Sequence, residues 1–187
     1  MNVQLDLRME KPEFLAWVQA HEGRYELVER RVVMMTGGTR GHGTIVRRLA
    51  NALERQLDPR RWAVWTSDFG VDIGPDTVRY PDIVVDVAYG QSRDLTATAP
   101  LLAVEVLSPS SITHDLRDKA VEYLQLPSLS AYLVFAQDEA KAWVWARGVA
   151  AFPSSPNVIV GRDGIVKIAA IGIELSLSEI YADIGLA

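Results

Sequence analysis

An acid inside an apolar β run is the first residue in this chain that asks for a chemical role. Leu101 to Leu107 reads LLAVEVL, and Glu105 is its lone charge. An unpaired buried carboxylate costs several kcal/mol, so such a residue finds a cation, a metal or a set of donors, or it takes up a proton. Asp82 follows Pro81 and opens DIVVDV, where a period of two sets it on one face with Val84 and Asp86. Alone, Asp82 reads as a turn residue or cap, and Glu105 as half of a salt bridge with an arginine such as Arg79. Together they offer the two hard oxygen donors that Mg²⁺ prefers, with water and phosphate completing the shell. Further on, Asp115, Lys119 and Tyr123 recur every four residues, which places them on one helical stripe beside the apolar Leu116, Ala120 and Leu124. Either Asp115 and Lys119 form a surface pair worth a few tenths of a kcal/mol, or Lys119 points at the carboxylates and supplies charge or proton transfer.

The elements that must position these residues follow from periodicity and punctuation. Pro12 starts a short helix running to Ala20, and RYELVER and RVVMM alternate as a hairpin around Glu29 and Arg30. Residues 44–57 carry Ile45, Leu49, Leu53 and Leu57 four apart, an amphipathic helix that needs a sheet to pack on. The runs AVWTSD, FGVDIG, YPDIVVDV and PLLAVEVL, broken by Gly and Pro, supply that sheet. A helix is expected over 115–125, with Ser111 or Thr113 as N-cap and Pro127 beyond its end. SAYLVFA and KAWVWA read as strands, the stretch 150–173 as further strands or loops, and SLSEIYADI as a last short helix. The pattern is a mixed α/β domain with helices packed around a mostly mixed sheet.

Composition narrows the classes. A length of 187 residues predicts one domain over 1–187, and 49% hydrophobic with 23% charged residues predicts a packed fold. Zero Cys excludes a disulfide framework, a thiolate zinc site and a cysteine nucleophile, and three His make a zinc enzyme a poor fit. No run nears the roughly 18 apolar residues of a membrane span, and the first residues lack the apolar core of a signal peptide. A cytoplasmic protein with no membrane partner is expected. The net charge of −5 argues against coating nucleic acid non-specifically, yet suits an enzyme whose acids hold metal.

The order PD, EVLSPS and D-x-x-x-K-x-x-x-Y resembles the Uma family of restriction endonucleases, a branch of the PD-(D/E)XK nuclease superfamily. The resemblance takes in YELVE at 25–29, His42 and SDFGVDI at 67–73, and spans about residues 13–145. It implies a restriction endonuclease-like α/β fold, a central mixed β-sheet flanked by α-helices with an N-terminal helix and β-hairpin. It further implies a metal-dependent DNA endonuclease that hydrolyses phosphodiester bonds with Mg²⁺ or Mn²⁺. Asp82 and Glu105 match the metal-binding acids, and the Val106 carbonyl is a candidate third ligand. Where the superfamily motif has lysine, two residues after the glutamate, this chain has Leu107. In the family the lysine has moved to the helix, and Lys119 matches that place, making Asp82, Glu105 and Lys119 the candidate catalytic set. Glu26, His42, Asp115, Tyr123 and Ser108 are candidate accessories. For His42 a structural hydrogen bond or helix N-terminal role is an equal alternative, and for the serines 108, 110 and 111 helix capping competes with phosphate contact.

Two other classes stay open. Leu107 in the lysine position suits a catalytically silent homodimeric or DNA-binding module on a nuclease fold, and two carboxylates without metal would suit a glycoside hydrolase. Six Arg between Arg40 and Arg61, against Glu54 and Asp58, read as a DNA-facing stripe or as a solvated helix face. Exposed YLVF and WVW strands would suit a homodimer, and two-fold symmetry would help a nuclease cut both strands.

Overall fold

A mirror-image turn fixes the start of the fold. In the computed structural model, which describes residues 3–107, 114–149 and 151–185, β1 (Val3–Arg8) leads into α1 (Lys11–Val18) and the hairpin of β2 (Tyr25–Val28) and β3 (Arg31–Met34). Pro12 sits in the first turn of α1, where a missing N–H costs nothing, and Phe14 packs on Leu27 and Val32. The hairpin turn is Glu29 and Arg30, with φ of 49° and 67°. That geometry matches strand twist, at roughly 1–2 kcal/mol per non-glycine residue. Offsetting contacts come from Asp76, whose carbonyl accepts from the Arg30 N–H and whose carboxylate pairs with the Arg30 guanidinium, both at 2.9 Å.

The first long helix begins earlier than its apolar spacing predicts. α2 (Arg40–Gln56) starts at Thr39, whose Oγ accepts from the His42 N–H at 3.2 Å, and this cap outweighs the poor helix formers Gly41 and Gly43. Thr39→Ala is expected to cost about 1 kcal/mol, read as a lower urea midpoint at unchanged slope. Ile45, Leu49 and Leu53 are fully buried on its inner face.

Next come β4 (Trp62–Thr66), β5 (Gly70–Gly74), β6 (Thr77–Arg79), β7 (Ile83–Val87), β8 (Thr96–Ala97) and β9 (Leu102–Val106). A π-type turn at His114–Lys119 runs into α3 (Ala120–Tyr123), in place of the regular α-helix expected to begin at 115. The candidate caps Ser111 and Thr113 lie outside the described residues. The chain closes with β10 (Ala131–Phe135), β11 (Lys141–Ala146), β12 (Asn157–Val160), β13 (Ile165–Ile168), β14 (Ile173–Ser176) and α4 (Leu177–Ile180).

Two six-stranded sheets result, in the orders β1-β3-β2-β6-β5-β8 and β12-β11-β10-β9-β7-β4, with β13 and β14 as a separate pair. The second is the central mixed sheet: β9 and β10 are parallel, and its other neighbours are antiparallel. On one face α2, α4 and the β13–β14 pair cover Ile83, Val85, Leu102 and Val104. The other face carries Val84, Ala103, Leu107, Tyr132 and Trp145 beneath Ala120 and Tyr123 of α3. The first sheet grows from the N-terminal hairpin.

One expectation about a surface is corrected. Every residue of β10 is buried, and the strand lies between β9 and β11, so YLVF offers no face for a homodimer. It is apolar at every position because both faces of the sheet are covered. In the arginine run only Arg48 is half-buried, donating to the Ile180 and Ala182 carbonyls, while Arg55 and Arg60 pair with Glu179 and Asp58 on the exposed surface. Among the described residues, no helix is long and apolar enough to cross a membrane.

Candidate active site

β7 and β9 run antiparallel with Val85 opposite Leu102, Val84 opposite Ala103 and Ile83 opposite Val104. One further step sets Asp82 opposite Glu105, at the ends of adjoining central strands. Opposed residues of an antiparallel pair point to the same face, so the two carboxylates share the face of Val84, Ala103 and Leu107. Both are buried, at 6% and 4% exposure, and the Val106 N–H donates to Asp82 Oδ2 at 2.8 Å.

His42 reaches the same oxygen from the first turn of α2, its Nε2 lying 3.0 Å from Asp82 Oδ2. Gly38 admits the ring: a Cβ there would stand 2.7 Å from His42 Nδ1. Burial pushes the imidazole pKa down, but the hydrogen bond and charge of Asp82 outweigh it, helped by the Val106 carbonyl against the charge of Arg24, so the net direction is up.

Lys119 closes the other side. Its ammonium donates to Glu105 Oε1 at 2.8 Å and lies 3.4 Å from Glu26 Oε1, while the Tyr123 hydroxyl is 3.4 Å from Glu105 Oε1. Tyr123 is held by ring contacts running from Tyr132 to Trp145, at 4.9 and 5.6 Å. Burial and the charges of Glu105 and Glu26 push its phenol well up, so it serves as a neutral donor. Leu107 is buried on this face beside Ala120 and Tyr123. The lysine thus comes to Glu105 from the helix and not from the strand.

Glu26 of β2, fully buried, joins this pair to a second one. Arg79 donates through Nη1 to Glu26 Oε2 at 3.0 Å and through Nε and Nη2 to Glu122 at 2.6 and 2.7 Å, and the Tyr80 N–H donates to Glu26 Oε1. Arg79 therefore pairs with Glu26 and Glu122, not with Glu105 as the salt-bridge reading had it. For Glu26 burial raises the pKa, but the charges of Lys119 and Arg79 and the Tyr80 N–H outweigh burial and bring it below the usual 4.5. A carboxyl depressed by folding stabilises the fold fully above its unfolded value and loses that contribution as pH falls through its folded value. Acid titration below about 4.5 is thus expected to unfold the wild type progressively, and Glu26→Gln to flatten that limb in circular-dichroism melts.

The structure brings Asp82, Glu105, Lys119, Glu26, His42 and Tyr123 into one contiguous network. Ser108 lies outside the described residues, as does the Asp115 side chain. The partnership of Arg79 with Glu122 was missed: a cation in VRYPD, one residue from a proline-aspartate pair, was its only local signal. Asp86 shares the site's face, but its oxygens accept from the Thr98 and Ala99 N–H groups at 2.9 Å each, which makes it a loop anchor.

The donor set fits a hard divalent ion in a specific way. Asp82 Oδ1 accepts no hydrogen bond among the described residues, the β7–β9 register sets Glu105 opposite Asp82, and the Val106 N–H binds its other oxygen. Among the described residues no three His, Asp or Glu side chains converge as a cage. Two carboxylates and a carbonyl suit Mg²⁺ or Mn²⁺, which keep several waters, better than ions that need an all-protein shell.

Residues 12–177 match the family model of Uma2, described as "Putative restriction endonuclease". The chain belongs to the Uma2 family. Curated relatives include two proteins of Synechocystis sp., both called uncharacterized: slr1290 is 30% identical over 133 residues, covering 68% of each chain, and sll1609 is 24% identical over 129 residues, covering 67% of this chain and 73% of its own. A crystal structure from Anabaena variabilis, described as a putative nuclease belonging to DUF820, superposes with a TM-score of 0.72 over 90% of this chain and 97% of its own at 15% identity. The Uma2 chain therefore has a restriction endonuclease-like fold, with Asp82 and Glu105 at its central strands.

Proposed function

We propose that the protein is a divalent-metal-dependent DNA endonuclease that hydrolyses phosphodiester bonds. The observation that carries this reading is the placement of Asp82 opposite Glu105 with Lys119 on the latter; membership of the Uma2 family supports it. Asp82, Glu105 and the Val106 carbonyl would hold the ion. When bound, a divalent cation supplies activation of water and neutralises charge developing on the phosphate. His42 and the Val106 N–H fix Asp82 Oδ2 and so turn its other oxygen outward. An ammonium held between two carboxylates is a donor, so Lys119 orients water and balances charge. Tyr123 fixes the rotamer of Glu105. The buried network makes these positions rigid, as transition-state stabilisation requires.

The test is cleavage of supercoiled plasmid with Mg²⁺, Mn²⁺ or EDTA by wild type and Glu105→Ala. Cleavage that needs the ion and is lost in the variant supports the assignment; cleavage equal in EDTA sinks it. Titration calorimetry with Mn²⁺ is expected to show binding that Asp82→Ala abolishes, and equal binding by the variant removes Asp82 from the ion site.

One observation favours the second reading, a silent DNA-binding module on a nuclease fold. Glu105 Oε1 and Asp82 Oδ2 are each satisfied by protein donors without an ion. Ion-independent DNA binding with no cleavage in any metal would establish it.

A further inference from the structure

Among the described residues, four basic side chains lie in or next to this buried network, and three are held by carboxylates. Lys119 is shared by Glu105 and Glu26, Arg79 by Glu26 and Glu122, and His42 touches Asp82. Arg24 is the fourth. It forms no ion pair among the described residues, its single side-chain hydrogen bond is a long one from Nη2 to the Ser67 carbonyl at 3.4 Å, and its Nε is buried with no acceptor. A buried donor left unmade costs about 1–3 kcal/mol, and a guanidinium presents five donors in a planar fork.

Its position ties it to the site. Ser67, at the end of the strand beside β7, donates its N–H to the Asp82 carbonyl at 3.2 Å and holds a left-handed φ of 58°. A non-glycine residue in that conformation marks a backbone held by its surroundings. Arg24 is also close enough to His42 to press its pKa down. Beside Arg24 and Ser67 opens a cleft of about 180 Å³, lined also by Tyr80, Tyr25 and Gly23, with Asp68 at its wall and, among the described residues, no ion pair between Asp68 and Arg24. A half-buried guanidinium with no ion pair among the described residues, joined through Ser67 to the Asp82 backbone and set in a cleft large enough for a tetrahedral oxyanion, matches the bidentate geometry of phosphate.

We propose that Arg24 is a phosphate-binding residue: with the Ser67 cleft it receives a backbone phosphate of the substrate strand next to the one attacked. The assignment rests on the nucleic-acid reading above for the identity of that strand, and on the cleft itself for the anion. Arg24 positions substrate and touches neither the ion-holding acids nor Lys119.

The experiment has two arms, both on the full chain in EDTA so that nothing is cleaved. In the first, the ¹⁵N Arg Nε–H resonance that disappears in Arg24→Lys is followed as inorganic phosphate is added at constant ionic strength. It is expected to shift saturably with phosphate and not with chloride. In the second, anisotropy of a fluorescein-labelled oligonucleotide is measured over a range of NaCl for wild type, Arg24→Gln and the distant control Arg60→Gln. Loss of one phosphate contact is expected to flatten the log–log salt slope by about 0.7–0.9 in Arg24→Gln alone, with weakening that is uniform across sequences. An unmoved Nε–H, or a wild-type slope in Arg24→Gln, overturns the proposal while leaving the nuclease reading in place. A phosphate-dependent shift with no oligonucleotide binding by the wild type keeps the anion site and rejects nucleic acid as its source.

Discussion

Lys119→Met is expected to lose about 3–5 kcal/mol of folding stability, because removing one partner of a buried ion pair leaves its carboxylates uncompensated. A lysine at the border of the core, as helical spacing alone suggests, would be cheap to replace. At 3% exposure between Glu105 and Glu26 it is not. Restoring neutrality in the double variant Lys119→Met/Glu105→Gln should recover part of the urea midpoint. It should recover no cleavage, since a charge-stabilising or acid–base group contributes roughly 10²- to 10⁴-fold. Activity is therefore to be compared well below the melting temperature of each variant. Wild-type cleavage by folded Lys119→Met would remove the lysine from the chemistry and leave it a structural tie. Lys119→Arg keeps the charge in a bulkier fork and is expected to rescue stability more than turnover.

Arg79→Met is expected to be the most damaging single change outside the proposed ion site. The guanidinium is 1% exposed and serves Glu26 and Glu122 at once, the latter through two parallel bonds. Loss of about 3–5 kcal/mol would consume much of the 5–15 kcal/mol that holds a typical domain together. The readouts are soluble yield and urea midpoint, both expected to collapse. Arg79→Lys should help little, because a point charge cannot fork to Glu122 while also meeting Glu26. An unmoved midpoint in Arg79→Met would mean that the pairs return no more than the desolvation they cost.

The parts of this site that are legible in sequence are those with a local signature. Glu105 stands out as a lone acid in an apolar run, Asp82 through its proline and alternating strand, and Lys119 with Tyr123 through spacing of four. The partnership of Glu26, Arg79 and Glu122 carries no such mark, because its members are 43 and 53 residues apart and meet only once strands and helix are packed. The π-type turn was equally silent, since no residue pattern distinguishes one wide turn from a regular helix start. β1, β6 and β8 were missed: β6 and β8 are three and two residues long, and β1 is polar and mostly exposed. The exposed face expected of YLVF fails for another reason: an unbroken apolar run reports burial on two sides and says nothing of partners.

Glu26 belongs to the first sheet, whereas Glu105 belongs to the second. The ammonium between them is therefore a clasp across the seam of two layers, and its fastening has a dynamic consequence. If the N-terminal layer lifts away, Lys119 loses one anchor and Arg79 loses another, so opening that layer breaks two buried ion pairs at once and is no cheap local event. The amides of β2 and β6 should accordingly exchange hydrogen with protection close to that of β9, as one cooperative unit and not as a loosely attached hairpin.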